Sequence, residues 1–153
     1  SIFISKMNFD RPPLIIAVDF DGTICEDGYP GIGKPHIFAF ETLKRMQEDG
    51  HRLILWTYRH GKKLQDAVEF CRENGIDFYA VNKSNPEQDD VEPDVSRKIN
   101  ADLFIDDRNF GGFPGWGEIY QNLYPQEVDF DKLQGGAKKG ILSSLFRRQG
   151  PRR

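Results

Sequence analysis

Leu14-Ile15-Ile16-Ala17-Val18-Asp19-Phe20-Asp21-Gly22-Thr23 decides how the rest of the chain is read. Five apolar residues in succession, with no polar alternation, suit a strand buried on both faces, as in a parallel sheet. That strand runs directly into two carboxylates and a glycine. Asp19 and Asp21 are two residues apart, so on a straight strand they share a face. Gly22 permits a turn after them, letting Asp21 swing while Asp19 stays anchored.

Outward from this strand the chain alternates between strand and helix. A helix is expected over about 36–48, where Ala39, Phe40, Leu43 and Met46 recur at helical spacing and Gly50 serves as a C-cap. Leu53-Ile54-Leu55-Trp56 is a second apolar run. Leu64, Ala67, Val68 and Cys71 mark the next helix, closed by Asn74-Gly75. Phe78-Tyr79-Ala80-Val81 reads as a third strand and Leu103-Phe104-Ile105 as a fourth. Between them, residues 82–96 are polar and acidic and read as a loop or short lid. Trp116, Ile119, Tyr120 and Leu123 give a last helix, ending before Pro125. This order predicts a three-layer α/β domain with a central parallel sheet over residues 13–124. Residues 1–12 read as a loose extension, with Ser1 and Met7 leaving the natural start open.

Composition agrees with one globular domain. The chain has 153 residues, 38% hydrophobic and 29% charged, with a net charge of -3. Residues 137–153 hold six basic residues and no acid, so residues 1–136 carry a net -9. That balance argues against a chain-wide nucleic-acid footprint. The basic segment 125–153 reads as a flexible tail. It is inert, binds an acidic partner or anionic surface, or docks through Ile141, Leu142, Leu145 and Phe146 as a short amphipathic helix. No run reaches the ~18 apolar residues of a membrane span, and no signal peptide is visible. Cys25 and Cys71 lie far apart without CxxC spacing, which favours a reduced, cytoplasmic protein over a disulfide or zinc framework.

In parallel sheets ligands sit beyond the carboxyl ends of the strands. Here those ends carry Asp19 and Asp21, then Thr57-Tyr58-Arg59, then Asn82-Lys83, then Asp106-Asp107-Arg108. Clustered carboxylates stay ionised together only around a cation or by taking up protons. Oxygen ligands without histidine or cysteine favour a hard cation such as Mg²⁺. A carboxylate to attack, a metal and a lysine to screen charge, and a hydroxyl to orient oxygens suit phosphoryl transfer. Taken singly, Asp21-Gly22-Thr23 is also a tight turn and Thr57 also a helix cap. His36, His51 and His60 show no ligand spacing, and only His60 lies close to Thr57. Tyr29, Phe113 and Trp116 are candidates for lining an open pocket, Trp116 being equally a core residue.

Asp19-Phe20-Asp21-Gly22-Thr23 after an apolar strand resembles the DxDGT signature of the haloacid dehalogenase (HAD) superfamily. Thr57 matches its second motif, Asp106-Asp107 its acidic fourth motif, and Lys98 its lysine, with Lys83 as competitor. The resemblance covers roughly residues 13–124 and implies a three-layer Rossmann-like fold. It implies Asp19 as the nucleophile that forms an aspartyl-phosphate and Asp21 as general acid and then base. It implies Mg²⁺ held by Asp19, the Asp21 carbonyl and Asp106, with Asp107 as a further ligand or a partner to one. Thr57 and the following amide of Tyr58 would bind phosphoryl oxygens, and Lys98 would neutralise Asp19 and the phosphate. Arg59 and Arg108 border the expected site, either as substrate-binding residues or as solvated surface arginines. The intervals Ile24–Pro35, of 12 residues, and Asn82–Arg97, of 16, are too short for the inserted cap domains of the superfamily. The expectation is a capless, Mg²⁺-dependent phosphatase acting on a small or macromolecular phosphorylated substrate. A capless site is also consistent with a homo-oligomer whose neighbour closes it. The alternatives are a low-turnover phosphate- and Mg²⁺-binding scaffold, or phosphotransfer to an acceptor other than water.

Overall fold

The computed structural model describes residues 12–88, 94 and 96–125. The readings of residues 1–11, of the middle of the 82–96 loop and of the basic tail lie outside these residues. Four strands form one parallel sheet: β1 (Ile15–Val18), β2 (Arg52–Leu55), β3 (Ala80–Val81) and β4 (Leu103–Ile105). Their spatial order is β3-β2-β1-β4. Three helices accompany them: α1 (Ala39–Glu48), α2 (Gly61–Glu73) and α3 (Trp116–Leu123).

Register fixes which side chains share a face. Ile16 pairs with Leu53 and Leu103, and Val18 with Leu55 and Ile105. These residues join Ala39, Phe40, Leu43 and Met46 of α1, Ala67 and Cys71 of α2, and Trp116 and Ile119 of α3 in one core cluster. Burying this set supplies the main stabilisation, at roughly 1.5–3 kcal/mol for each large apolar side chain. The opposite face carries Ala17, Ile54 and Ala80, paired in a row across β1, β2 and β3. Ile99 and the partly buried Ala101 cover it.

Handedness explains this division. The β1-α1-β2 and β2-α2-β3 crossovers step the same way along the sheet, so right-handed connections put both helices on one face. The β3-to-β4 connection must return across the whole sheet, so it passes over the other face. The expected alternation of strand and helix is therefore present, and the fold is α/β and Rossmann-like. The expected third layer differs: among the described residues all three helices lie on one side, and chain from the 82–102 connection covers the other. The small side chains of Ala17 and Ala80 suit a chain lying close to the sheet.

Two boundaries also differ from the sequence reading. Helix α1 starts at Ala39 instead of about 36, because Phe38 takes a left-handed conformation (φ 67°) that interrupts the helix. Strand β3 keeps only two residues, although Tyr79 N–H to the Leu53 carbonyl (2.7 Å) and Asn82 N–H to the Leu55 carbonyl (2.8 Å) extend the pairing on either side. Among the described residues no helix is long and apolar enough to cross a membrane.

Candidate active site

The direction of chain crossing reverses between β1 and β4, which are neighbours in space. Their carboxyl ends open a crevice where ligands bind in parallel sheets. Asp19 N–H donates to the Ile105 carbonyl (3.0 Å), which carries the β1–β4 pairing to the edge of the crevice. Asp19, Asp106 and Asp107 meet there, each offering one carboxylate oxygen, and these oxygens lie within 4.8 Å of one another. A cavity of about 600 Å³ opens over them. Its walls also include Asp21, Asp27, Tyr29, Trp56, Thr57, Tyr58, Arg59 and Arg108.

The turn after β1 is fixed by several bonds. Thr23, Ile24 and Cys25 N–H groups all donate to the Phe20 carbonyl, at 3.2, 3.0 and 3.2 Å. The buried Thr23 hydroxyl donates to Asp19 Oδ2 (3.3 Å), and Trp116 Nε1 donates to the Thr23 carbonyl (2.8 Å). Helix α3 thus holds the segment that carries Asp19. Gly22 sits at φ +82°, and a Cβ added there would lie 2.8 Å from Asp107 Cγ. The second carboxylate of the pair therefore occupies the space a side chain would fill.

Crowding shows in the acid–base chemistry. Asp19 is pushed up from 3.8 to about 7, first by burial, then by the Asp106 charge and a hydrogen bond with Asp107, against a stabilising bond from the Phe20 amide. Asp107 Oδ1 is buried and has no hydrogen-bond partner. A buried carboxylate oxygen without a donor is costly. Three converging carboxylate oxygens, beside a buried Asp107 oxygen that lacks a donor, are the donor set a hard divalent cation takes. The residues present therefore fit a hard divalent cation such as Mg²⁺, which Asp19, Asp106 and Asp107 would hold. Asp106 is further oriented by Arg108 N–H on its Oδ1 (2.9 Å) and by Asn109 Nδ2 on its carbonyl (2.9 Å).

Thr57 reaches the same cavity from the end of β2. Its N–H is held by Asn82 Oδ1 (2.8 Å), and its hydroxyl oxygen accepts from Arg59 N–H (3.2 Å). The O–H proton of Thr57 remains available to donate. Asn82 manages this from a left-handed backbone (φ 54°), a conformation that asparagine tolerates better than most residues. The sequence reading placed Asn82 at the end of β3 but gave it no role.

Asp21 and Arg59 are paired with each other, a relationship the sequence does not suggest. The Asp21 side chain is not in the three-carboxylate cluster. Arg59 Nε donates to its Oδ2 and Nη2 to its Oδ1, both at 2.8 Å. The remaining guanidinium protons go to the carbonyls of Pro30 and Lys63, at 3.3 Å each, and of Gly31. Five N–H donors meet five protein acceptors. Arg59 is only 2% exposed, and its guanidinium carbon lies 5.1 Å from the Phe20 ring centre. Its bond to Asp21 pushes its pKa further up. Arg59 borders the cavity as part of the frame, with no proton left for a substrate.

Lys98 is not brought to the cavity. It is exposed, and its N–H donates to Ser96 Oγ (3.2 Å). Lys83 does not line the cavity either, so among the described residues no lysine does. Of the aromatic candidates, Tyr29 lines the cavity, whereas Phe113 and Trp116 pack edge-to-face in the core, 5.9 Å between centres. His60 is exposed at the start of α2, away from the lining. Cys25 and Cys71 are free and buried, and burial pushes both thiols up to about 12, which makes them inert packing residues.

A search of solved structures finds a chain of the same architecture, described as a conserved protein coded by a locus from Bacteroides thetaiotaomicron. The two share 53% sequence identity with a TM-score of 0.70, over 75% of this chain and 93% of that one. This chain belongs to the same family as that conserved protein. No family model and no curated protein matches it.

Proposed function

We propose that this protein is a Mg²⁺-dependent phosphohydrolase that works through an aspartyl-phosphate on Asp19, in the manner of a capless HAD-superfamily phosphatase. The observation that carries this reading is the convergence of Asp19, Asp106 and Asp107 within 4.8 Å at the adjoining ends of β1 and β4. The Thr57 hydroxyl and the Arg108 side chain on the same cavity add to it. Bound Mg²⁺ would screen the negative charge shared by these carboxylates and a phosphoryl group.

The chain's own residues supply the rest. A carboxylate oxygen of Asp19 attacks phosphorus; the new O–P bond forms as the ester O–P bond breaks, and the alcohol departs with the electron pair. Thr57, with its oxygen already accepting from Arg59 N–H, turns its proton toward a phosphoryl oxygen. Arg108 supplies positive charge at the same opening. Water then attacks the acyl-phosphate, freeing Asp19 and inorganic phosphate. Asp21 is the residue whose position suits the proton transfers to the leaving alcohol and from that water. Both its oxygens accept from Arg59, so its pair with Arg59 must rearrange for that step.

That clamp also favours a second reading. If it holds throughout, the site binds Mg²⁺ and phosphate with little turnover, as a binding module. Phosphate release from a broad panel of phosphorylated compounds, with Mg²⁺ and with EDTA, separates the two. The phosphohydrolase reading expects metal-dependent release that Asp19→Asn abolishes. Release unaffected by that substitution overturns the aspartyl-phosphate. Mg²⁺ binding without release on any compound selects the binding module. A cytoplasmic setting belongs to the same proposal, supported by two thiols that are free and buried.

A further inference from the structure

We propose that the phosphate ester taken by this site carries a planar aromatic ring, which stacks on Tyr58 at the mouth of the cavity. This rests on the phosphohydrolase reading above. Part of the polar lining around the opening is already engaged within the protein. All five Arg59 donors are bonded within the protein, and Asp27 Oδ1 accepts from Tyr29 N–H (3.3 Å). On the phosphohydrolase reading, Thr57 and Arg108 serve the phosphoryl group. Beside the Asp27 carboxylate, the lining that remains to hold the organic part of a substrate is aromatic: Trp56, Tyr58 and Tyr29.

Tyr58 is 91% exposed, although it follows directly on Thr57 and borders the cavity. Adjacent Cα atoms are ~3.8 Å apart, so the ring reaches whatever lies beside a phosphoryl group at Thr57. The Tyr29 ring is held in place: its hydroxyl accepts from Lys63 Nζ (3.2 Å), and Lys63 Nζ and the Arg59 guanidinium carbon lie 4.9 and 5.3 Å from its centre. One wall is thus a fixed aromatic surface and another a free one. Flat rings pack on such surfaces offset-stacked or edge to face and gain contact beyond their buried area, whereas a puckered ring or an alkyl chain gains less.

The test uses two matched pairs of esters, assayed on the full chain with Mg²⁺. Benzyl phosphate against cyclohexylmethyl phosphate compares a flat with a puckered ring next to the phosphate. Adenosine 5'-monophosphate against ribose 5-phosphate compares a ring present with a ring absent, across a sugar. In each pair the leaving alcohol is chemically alike, so reactivity does not confound the ratio. Stacking predicts a kcat/KM ratio on the order of tenfold in favour of the flat ring. Preference in the benzyl pair alone points to rings attached close to phosphorus, and preference in both pairs to nucleotides; either supports the inference. Tyr58→Phe should keep the ratio and Tyr58→Leu should bring it toward one. Ratios near one in both pairs, or a ratio that survives Tyr58→Leu, overturn it. Hydrolysis without ring preference leaves the phosphohydrolase reading standing; no Mg²⁺-dependent release from any of the four overturns the aromatic inference, and the broad panel decides the phosphohydrolase reading separately.

Discussion

Arg59 and Asp21, 38 residues apart in sequence, form a two-pronged ion pair with both N···O distances at 2.8 Å, and the arginine side chain is almost wholly buried. The same guanidinium ties down the carbonyls of Pro30, Gly31 and Lys63. It therefore locks the turn after β1, the loop that carries Tyr29 and the first turn of α2 to one another. A lysine offers three donors from a single point and cannot reproduce a planar fork. Arg59→Lys should destabilise the protein by about 3 kcal/mol, lowering its melting temperature by roughly 10 °C. Thermal denaturation followed by circular dichroism checks this. A Lys variant that melts with the wild type would show that the clamp is not structural.

Asp19→Asn should have opposite effects on turnover and stability. It removes the proposed nucleophile, so phosphate release should vanish. In metal-free protein it also removes one of three crowded carboxyl groups, the one driven up to about 7 by burial and by its neighbours. Metal-free Asp19→Asn should therefore melt at a higher temperature than metal-free wild type near pH 8, and adding Mg²⁺ should shrink or reverse that difference. Calorimetric melts with EDTA and with Mg²⁺ measure both. A lower melting temperature for the metal-free variant would mean that the three carboxylates do not strain one another.

Much of the site was legible in the sequence because it sits where strands end. Apolar runs mark the strands, parallel packing puts their carboxyl ends together, and so Asp19, Thr57, Asp106 and Asp107 could be brought to one place without coordinates. Arg59 could not be read correctly. Its five partners come from segments scattered over residues 21–63, three of them main-chain carbonyls that no side-chain pattern reveals. Asn82 left a weak trace, an asparagine at a strand end where a left-handed residue fits. Lys98 shows the opposite failure: motif order singled it out, but order fixes neither distance nor direction in an irregular connection.

The metal-free protein should lose stability as pH rises from about 4 to about 7. Asp19 is raised in the folded state, so its contribution is fully present below its ordinary value of 3.8 and is lost as pH climbs through about 7. Mg²⁺ competes with the proton for the same oxygens, so stabilisation by Mg²⁺ should be small near pH 5 and larger near pH 8. Melting temperatures with and without Mg²⁺ across this range test it. A Mg²⁺-induced shift that is the same at both ends would exclude Asp19 from the cation site.

Gly22→Ala should damage the site through two neighbours at once. The backbone there has φ +82°, where an L side chain is strained, and the new Cβ would press on the Asp107 carboxylate, 2.8 Å from its Cγ. Asp107 would have to leave the cluster, taking one of the three converging oxygens with it. Mg²⁺ affinity measured by titration calorimetry should fall at least tenfold, in line with the cost of disturbing a group that holds a metal's surroundings. The atoms nearest the new Cβ all belong to Asp107 and none to a core side chain, so the variant should still fold. Unchanged Mg²⁺ affinity in a folded Gly22→Ala protein would show that Asp107 takes no part in binding the cation, leaving Asp19 and Asp106 as its holders.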